Sequence, residues 1–101
     1  MLQKSTGWCQ DLNGEYQWSY YDVPGAFDSG EACAKLVMKT IDSKGAVYLP
    51  STGQCYRMQG EVYAGGPDYA DYECYAFRVS LFMILFCDLT FHSIRIQTLH
   101  P

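Results

Sequence analysis

The chain has 101 residues and a net charge of −4, with acids and bases interspersed. That length allows one domain. The charge excludes a nucleic-acid-binding face, which needs concentrated Lys and Arg, and it excludes electrostatic docking on an anionic membrane. No charged, apolar, small-residue leader pattern opens the chain at Met1-Leu2-Gln3-Lys4. Beside the cysteine pattern described below, this predicts a fragment, an excised domain or an incomplete gene model.

Trp8-Cys9 comes first among the informative residues, followed by Leu12-Asn13-Gly14, an Asn-Gly pair suited to a tight hairpin. Residues 16–21 are rich in aromatic side chains and read as a strand. A helix follows. Asp28 or Ser29 caps it, Glu31 puts a negative charge in its first turn, and Cys33, Leu36, Val37, Thr40 and Ile41 form one apolar stripe at helical spacing. Ser43-Lys44-Gly45 supplies a stop, with Gly45 in the left-handed cap position. Short strands are then predicted over 46–49, 54–58, 61–64 and 72–78, separated by Pro50, by Ser51-Thr52-Gly53 and by Gly65-Gly66-Pro67. The pattern predicts an α+β fold: a small twisted antiparallel sheet with one packed helix.

Four cysteines, Cys9, Cys33, Cys55 and Cys74, are spread evenly through this region with no C-x-x-C pair. Wide spacing in a small domain reads as a disulfide framework, and such frameworks persist in extracellular or secretory compartments. Three pairings are possible. Cys33 on the buried helix face lies over the strand that carries Cys55, so Cys33–Cys55 is the natural helix-to-sheet bridge, and Cys9–Cys74 then ties the ends together. Loop closure gives roughly 3.4 and 4.3 kcal/mol for the two bridges.

Residues 1–78 hold every glycine, tyrosine and tryptophan of the chain and no histidine. His92 and His100 lie beyond them, so Ser-His-Asp, Cys-His and His-bearing zinc arrangements are not expected. Glu61, Asp68, Asp71 and Glu73 are the acids that glycoside hydrolysis or a calcium ion would use, but a domain this small has little room for a cleft and no EF-hand pattern is present. The expectation is no catalysis, no metal and no cofactor. Exposed aromatic rings suit sugar or protein surfaces. Trp18, Tyr20 and Tyr21 form one cluster in sequence, with Trp18 and Tyr20 on one face and Tyr21 on the other. Tyr63, Tyr69 and Tyr72 form another, beside the acidic loop of Asp68 and Asp71. The expected ligand-binding residues are Trp18, Tyr20, Tyr63, Asp68, Tyr69, Asp71 and Tyr72. The alternative is that these rings simply fill a small core.

Character changes after residue 78. Val79-Ser80-Leu81-Phe82-Met83-Ile84-Leu85-Phe86-Cys87 is apolar except for Ser80, is too short to span a bilayer as a helix, and holds the fifth cysteine, Cys87. Residues 79–101 read as a buried strand with a tail, a truncated membrane anchor, or mis-spliced coding sequence. A membrane partner is expected only under the second reading.

Gly7-Trp8-Cys9, Ser29-Gly30-Glu31-Ala32-Cys33, Gly45-Ala46-Val47-Tyr48, Gly53-Gln54-Cys55-Tyr56 and Tyr72-Glu73-Cys74-Tyr75 together resemble the PAN/Apple-like and WSC-like cysteine-rich extracellular modules. The resemblance covers residues 7 to about 77. Val37 and Arg57 stand where many such modules carry a further helix-to-strand cysteine pair, so one whole bridge is missing. The resemblance implies a helix cradled on a twisted sheet, binding of a glycan or an extracellular protein, and no catalysis. A structural accessory domain within a larger secreted enzyme or matrix protein is the alternative.

Overall fold

The structure is a computed structural model and describes residues 2–40 and 42–78. Its elements are β1 (Leu2–Thr6), β2 (Cys9–Gln10), β3 (Tyr20–Val23), α1 (Gly30–Met38), β4 (Gly45–Leu49), β5 (Gln54–Met58), β6 (Ala64–Gly65) and β7 (Glu73–Phe77). Five strands make one antiparallel sheet in the order β1-β7-β4-β5-β3, while β2 and β6 form a separate two-stranded ribbon. The small disulfide-stapled α+β fold is therefore present.

The three central strands are apolar on both sides, as their alternation requires. Ala46, Tyr48, Cys55 and Tyr75 pack toward α1 with Cys33, Ala34 and Val37. Val47, Tyr56, Met58 and Cys74 pack the other way, against Trp8 and Cys9. Each layer is bonded to the sheet. Cys33–Cys55 joins the helix to β5, and Cys9–Cys74 joins the segment after β1 to β7 on the opposite face. All four sulfur-bearing residues are fully buried. This is the pairing that the helix-over-strand argument favours.

Ser29 caps α1, its Oγ accepting from the Ala32 amide at 3.1 Å. The buried stripe is Gly30, Cys33, Ala34 and Val37, not the expected Cys33, Leu36, Val37 and Thr40; Leu36 is 46% exposed and Thr40 is exposed. Tyr48 and Tyr75 explain the rotation. These large rings rise from the sheet and fill the interface, so the helix presents its smallest side chains. Gly30 is the tightest point, where a Cβ would lie 2.1 Å from the Tyr75 hydroxyl. The helix also ends sooner than its sequence stripe. Lys39 and Thr40 donate to the carbonyls of Leu36 and Val37, and Asp42 takes φ 66°. Gly45 is consequently not the cap. It opens β4, with room for no Cβ beneath the Tyr75 carbonyl.

Other boundaries moved for tertiary reasons. The strand expected over 16–21 is Tyr20–Val23, because Gln17 donates to the Cys9 carbonyl and Tyr16 keeps only an isolated bridge to Gln10. The strand expected over 61–64 is reduced to Ala64–Gly65, paired with β2. β1 was not foreseen. Its sequence is mostly polar and exposed, and it is held by its ladder to β7. The expectations for residues 79–101, including Cys87, lie outside the described residues, and so does Ile41.

Non-reducing peptide mapping of the full chain, after cleavage at both lysine and glutamate, is expected to recover Cys9 linked to Cys74 and Cys33 linked to Cys55; trypsin alone would leave Cys9 and Cys33 on one peptide. Gly30→Ala is expected to cost about 1–3 kcal/mol by overpacking against Tyr75, read as a lower urea midpoint with an unchanged slope.

Candidate functional site

The face opposite α1 is built around Trp8. Gly7, at φ 100° and with a Cβ position only 2.1 Å from the Gly66 carbonyl oxygen, turns the chain sharply after β1 and drops Trp8 beneath the sheet. The indole is 4% exposed and donates its N–H to the Gln17 carbonyl. That bond is fixed by the hairpin before it. Asp11 accepts at its Oδ1 from the amides of Asn13 and Glu15, and Gly14 takes φ 81° to close the turn.

Four rings surround Trp8. Trp18 stacks on it at 5.1 Å between centroids, Tyr20 and Tyr72 meet it edge-on at 5.3 and 5.1 Å, and Tyr56 lies tilted at 5.4 Å. Tyr69 then stands edge-on to Trp18 at 5.5 Å and to Tyr16 at 5.2 Å. Contacts of this geometry contribute about 0.5–1.5 kcal/mol each beyond the area they bury. Trp8 and Tyr56 are buried in this cluster, whereas Trp18 is 54%, Tyr69 48% and Tyr20 41% exposed. The outcome is a set of half-open rings resting on buried ones.

The loop between β6 and β7 completes the surface. The Asp68 amide donates to the Tyr16 hydroxyl at 2.8 Å, Tyr72 donates to the Tyr69 carbonyl, and Gly7 donates to the Tyr72 carbonyl. Tyr69 sits at φ 61°, a left-handed conformation uncommon for a bulky residue and costing about 1 kcal/mol or more. Its ring contacts with Tyr16 and Trp18 hold it there. Asp68 and Asp71 are exposed on this loop.

The structure thus brings Trp18, Tyr20, Tyr69 and Tyr72 into one cluster, where the sequence suggested two. Tyr63 is not part of it. Arg78 lies 5.0 Å over the Tyr63 ring and donates to the Tyr63 carbonyl, so Tyr63 belongs to a separate pair. Tyr21 faces the helix side, as alternation demands, and carries Arg57 at 4.3 Å. Trp8, Tyr16 and Tyr56 are the members that sequence reasoning left out. The usable signal was Trp8 beside Cys9, and Tyr56 one residue past Cys55, which strand alternation turns to the face opposite the helix. Burial raises the Tyr56 pKa above the usual phenol value, with further contributions from Tyr72, Asp22 and Tyr20.

Among the described residues a groove flanks α1 on either side, and simple dimensions account for both. Five strands span about 19 Å, while one helix with its side chains is about 10–12 Å across. α1 sits chiefly over β4, so among the described residues it leaves both margins of the sheet open. Toward β1 and β7 the groove is about 370 Å³ and is lined by Lys4, Asp28, Glu31, Tyr48, Glu73 and Tyr75. Here the Tyr75 hydroxyl donates to Glu73 Oε1 at 2.7 Å, and Lys4 Nζ lies 3.6 Å from Glu73 Oε2. Glu73 therefore lies on the helix side, away from Asp68 and Asp71, and the four acids weighed above do not converge. No group of three or more His, Cys, Asp or Glu side chains suited to a metal ion occurs among the described residues. Among those residues, too, no helix is long and apolar enough to cross a membrane.

None of the protein-family models, curated proteins or solved structures compared with this chain matches it. The likeness to PAN/Apple-like and WSC-like modules rests on the short sequence motifs alone.

Burial raises the Tyr75 pKa far above 10.0, and its bond to Glu73 adds to the shift. The unfolded chain releases this proton near pH 10 and the folded chain does not. The corresponding stability is complete below pH 10 and declines as pH climbs above it. Tyr75→Phe is expected to cost about 1 kcal/mol at neutral pH and to flatten the loss of stability between about pH 10 and 12. Urea titrations in a Cys87→Ser background, which removes that thiol from exchange, would show it. An unchanged alkaline slope would sink this assignment.

Proposed function

We propose that the chain is an extracellular binding module of PAN/Apple-like or WSC-like type that recognises a glycan through the aromatic face. Two fully buried disulfides fit an oxidising, extracellular or secretory environment. The observation that carries the glycan reading is the exposure of Trp18 and Tyr69 while both are clamped by ring contacts. A ring fixed in this way presents a flat apolar face without losing rotamer freedom on binding. Pyranose rings carry an apolar C–H face that lies on such surfaces. Asp68 and Asp71, exposed on the same loop, supply acceptors for sugar hydroxyls. The strained backbone at Tyr69 fits a ligand-contacting position.

A second reading is supported by the same contacts. Trp18, Tyr20, Tyr69 and Tyr72 each touch another ring of the cluster, so each has a packing role that needs no ligand. On that reading the domain spaces or protects a larger secreted protein.

The oxidised full-length chain, screened on a glycan array and followed by titration, separates the two. Saturable binding that Trp18→Ala or Tyr69→Ala weakens at least tenfold, with both disulfides and the amide spectrum retained, supports the glycan module. Absence of saturable binding by the folded chain across a broad array favours the structural domain.

A further inference from the structure

The second margin groove lies where the sheet runs out beyond α1, between β3 and the C-terminal half of the helix. It is about 480 Å³ and lined by Tyr21, Val23, Leu36, Val37, Lys39 and Arg57, together with Asp22, Pro24 and Thr40. Val37, 2% exposed, lies at its floor, and Leu36 at 46% forms an open wall. The other wall is β3, the last strand of the sheet, whose far edge carries no neighbouring strand among the described residues.

Charge distinguishes this groove from its counterpart. The groove by β1 has three carboxylates to one ammonium, in keeping with a chain of net charge −4. The groove by β3 has two cations, Lys39 and Arg57. Its one acid, Asp22, registers with Tyr56 and raises the pKa of that phenol, so its carboxylate belongs with the opposite face. Arg57 is half-buried, lies 4.3 Å over the Tyr21 ring, and has no carboxylate partner among the described residues. A guanidinium lying over a ring face can still present its N–H fork to a carboxylate. A fork held this way beside an apolar floor suits a carboxylate attached to an aliphatic body.

We infer that this groove captures the free C-terminus of a partner protein ending in aliphatic residues, with the terminal carboxylate on Arg57 and the last side chain on Val37 and Leu36. A chain terminus joins a carboxylate and an apolar side chain through a single carbon, which matches the adjacency of Arg57, Val37 and Leu36 around one groove. C-terminal carboxylate capture is an established mode of peptide recognition. The site lies on the opposite side of the sheet from the aromatic face and stands or falls independently of it.

The test uses the oxidised, isotopically labelled full-length chain and the peptide acetyl-Ala-Ala-Ala-Leu-Leu with a free C-terminus, titrated at low salt and followed by amide and methyl chemical shifts. Expected are saturable shifts at Tyr21, Leu36, Val37 and Arg57, weakened about tenfold in Arg57→Gln and several-fold in Arg57→Lys, which keeps the charge but not the fork. Leu36→Ser, at an exposed position that does not threaten the fold, is expected to weaken binding similarly, and Leu12→Ser, far exposed in the first hairpin, to leave it unchanged. The amide spectrum of each variant reports its folding in the same experiment. Equal binding of the C-terminally amidated peptide, shifts confined to the aromatic face, or no saturable shift at all would overturn the proposal. Octanoate binding as tightly as the peptide would overturn it too, because the occupant would then be a small amphiphilic anion.

Discussion

A sheet that is apolar on both faces, with one helix to cover it among the described residues, is the constraint on which everything else depends. One helix covers one side of β7, β4 and β5. Covering the other falls to a layer with almost no regular structure: the Trp8-Cys9 segment, the hairpin after it and the 66–72 loop. Irregular chain makes a poor lid, because its backbone has few partners and much entropy to lose. Cys9–Cys74 and the rings around Trp8 compensate on this side, as Cys33–Cys55 does beneath the helix. The two bridges thus act on separate layers and are not redundant staples of one core.

That division explains what the sequence disclosed and what it hid. The helix start at Asp28 or Ser29, the strand over 54–58 and a preference for the helix-to-strand bridge were legible because each follows from local chemistry: a capping side chain, a turn glycine, a cysteine on a buried face; Cys9–Cys74 entered only as the pair left over. The rotation of α1 was not, since it answers to Tyr48 and Tyr75, remote in sequence from the helix stripe that they displace. β1 was invisible for a related reason, its residues being polar and its existence owed to the β7 ladder. At the candidate site, composition pointed to aromatic residues and alternation separated Trp18 and Tyr20 from Tyr21. Only the tertiary path of the 66–72 loop could join Tyr69 and Tyr72 to them and leave Tyr63 with Arg78.

The geometry of coverage also organises the surfaces. Because the irregular layer is thin, its rings are shared between core and solvent, and the same side chains that seal the sheet stand open on the outside. Because α1 is narrower than the sheet, the described residues leave its two flanks concave, one acidic and one basic. An overall negative chain whose Arg57 lies over a ring in a groove, with no carboxylate partner among the described residues, has an uneven distribution of charge, and unevenness of that kind steers approach and orientation more than it adds raw affinity.

The antiparallel pairing of Leu2 with Phe77 places both ends of the described chain at one end of the β1–β7 ladder, and the Cys9–Cys74 bridge lies near the other. Tension entering at residue 2 and leaving at residue 78 would unzip that ladder one pair at a time, a soft mechanical response. It would then meet a covalent bond. From that point the force runs through the Cys9–Cys74 sulfurs, and everything between them in sequence, including the helix, the second bridge and most of the aromatic face, carries none of it. Strung between other domains, such a unit would yield by a few residues at each end and then hold, with its interior unstrained.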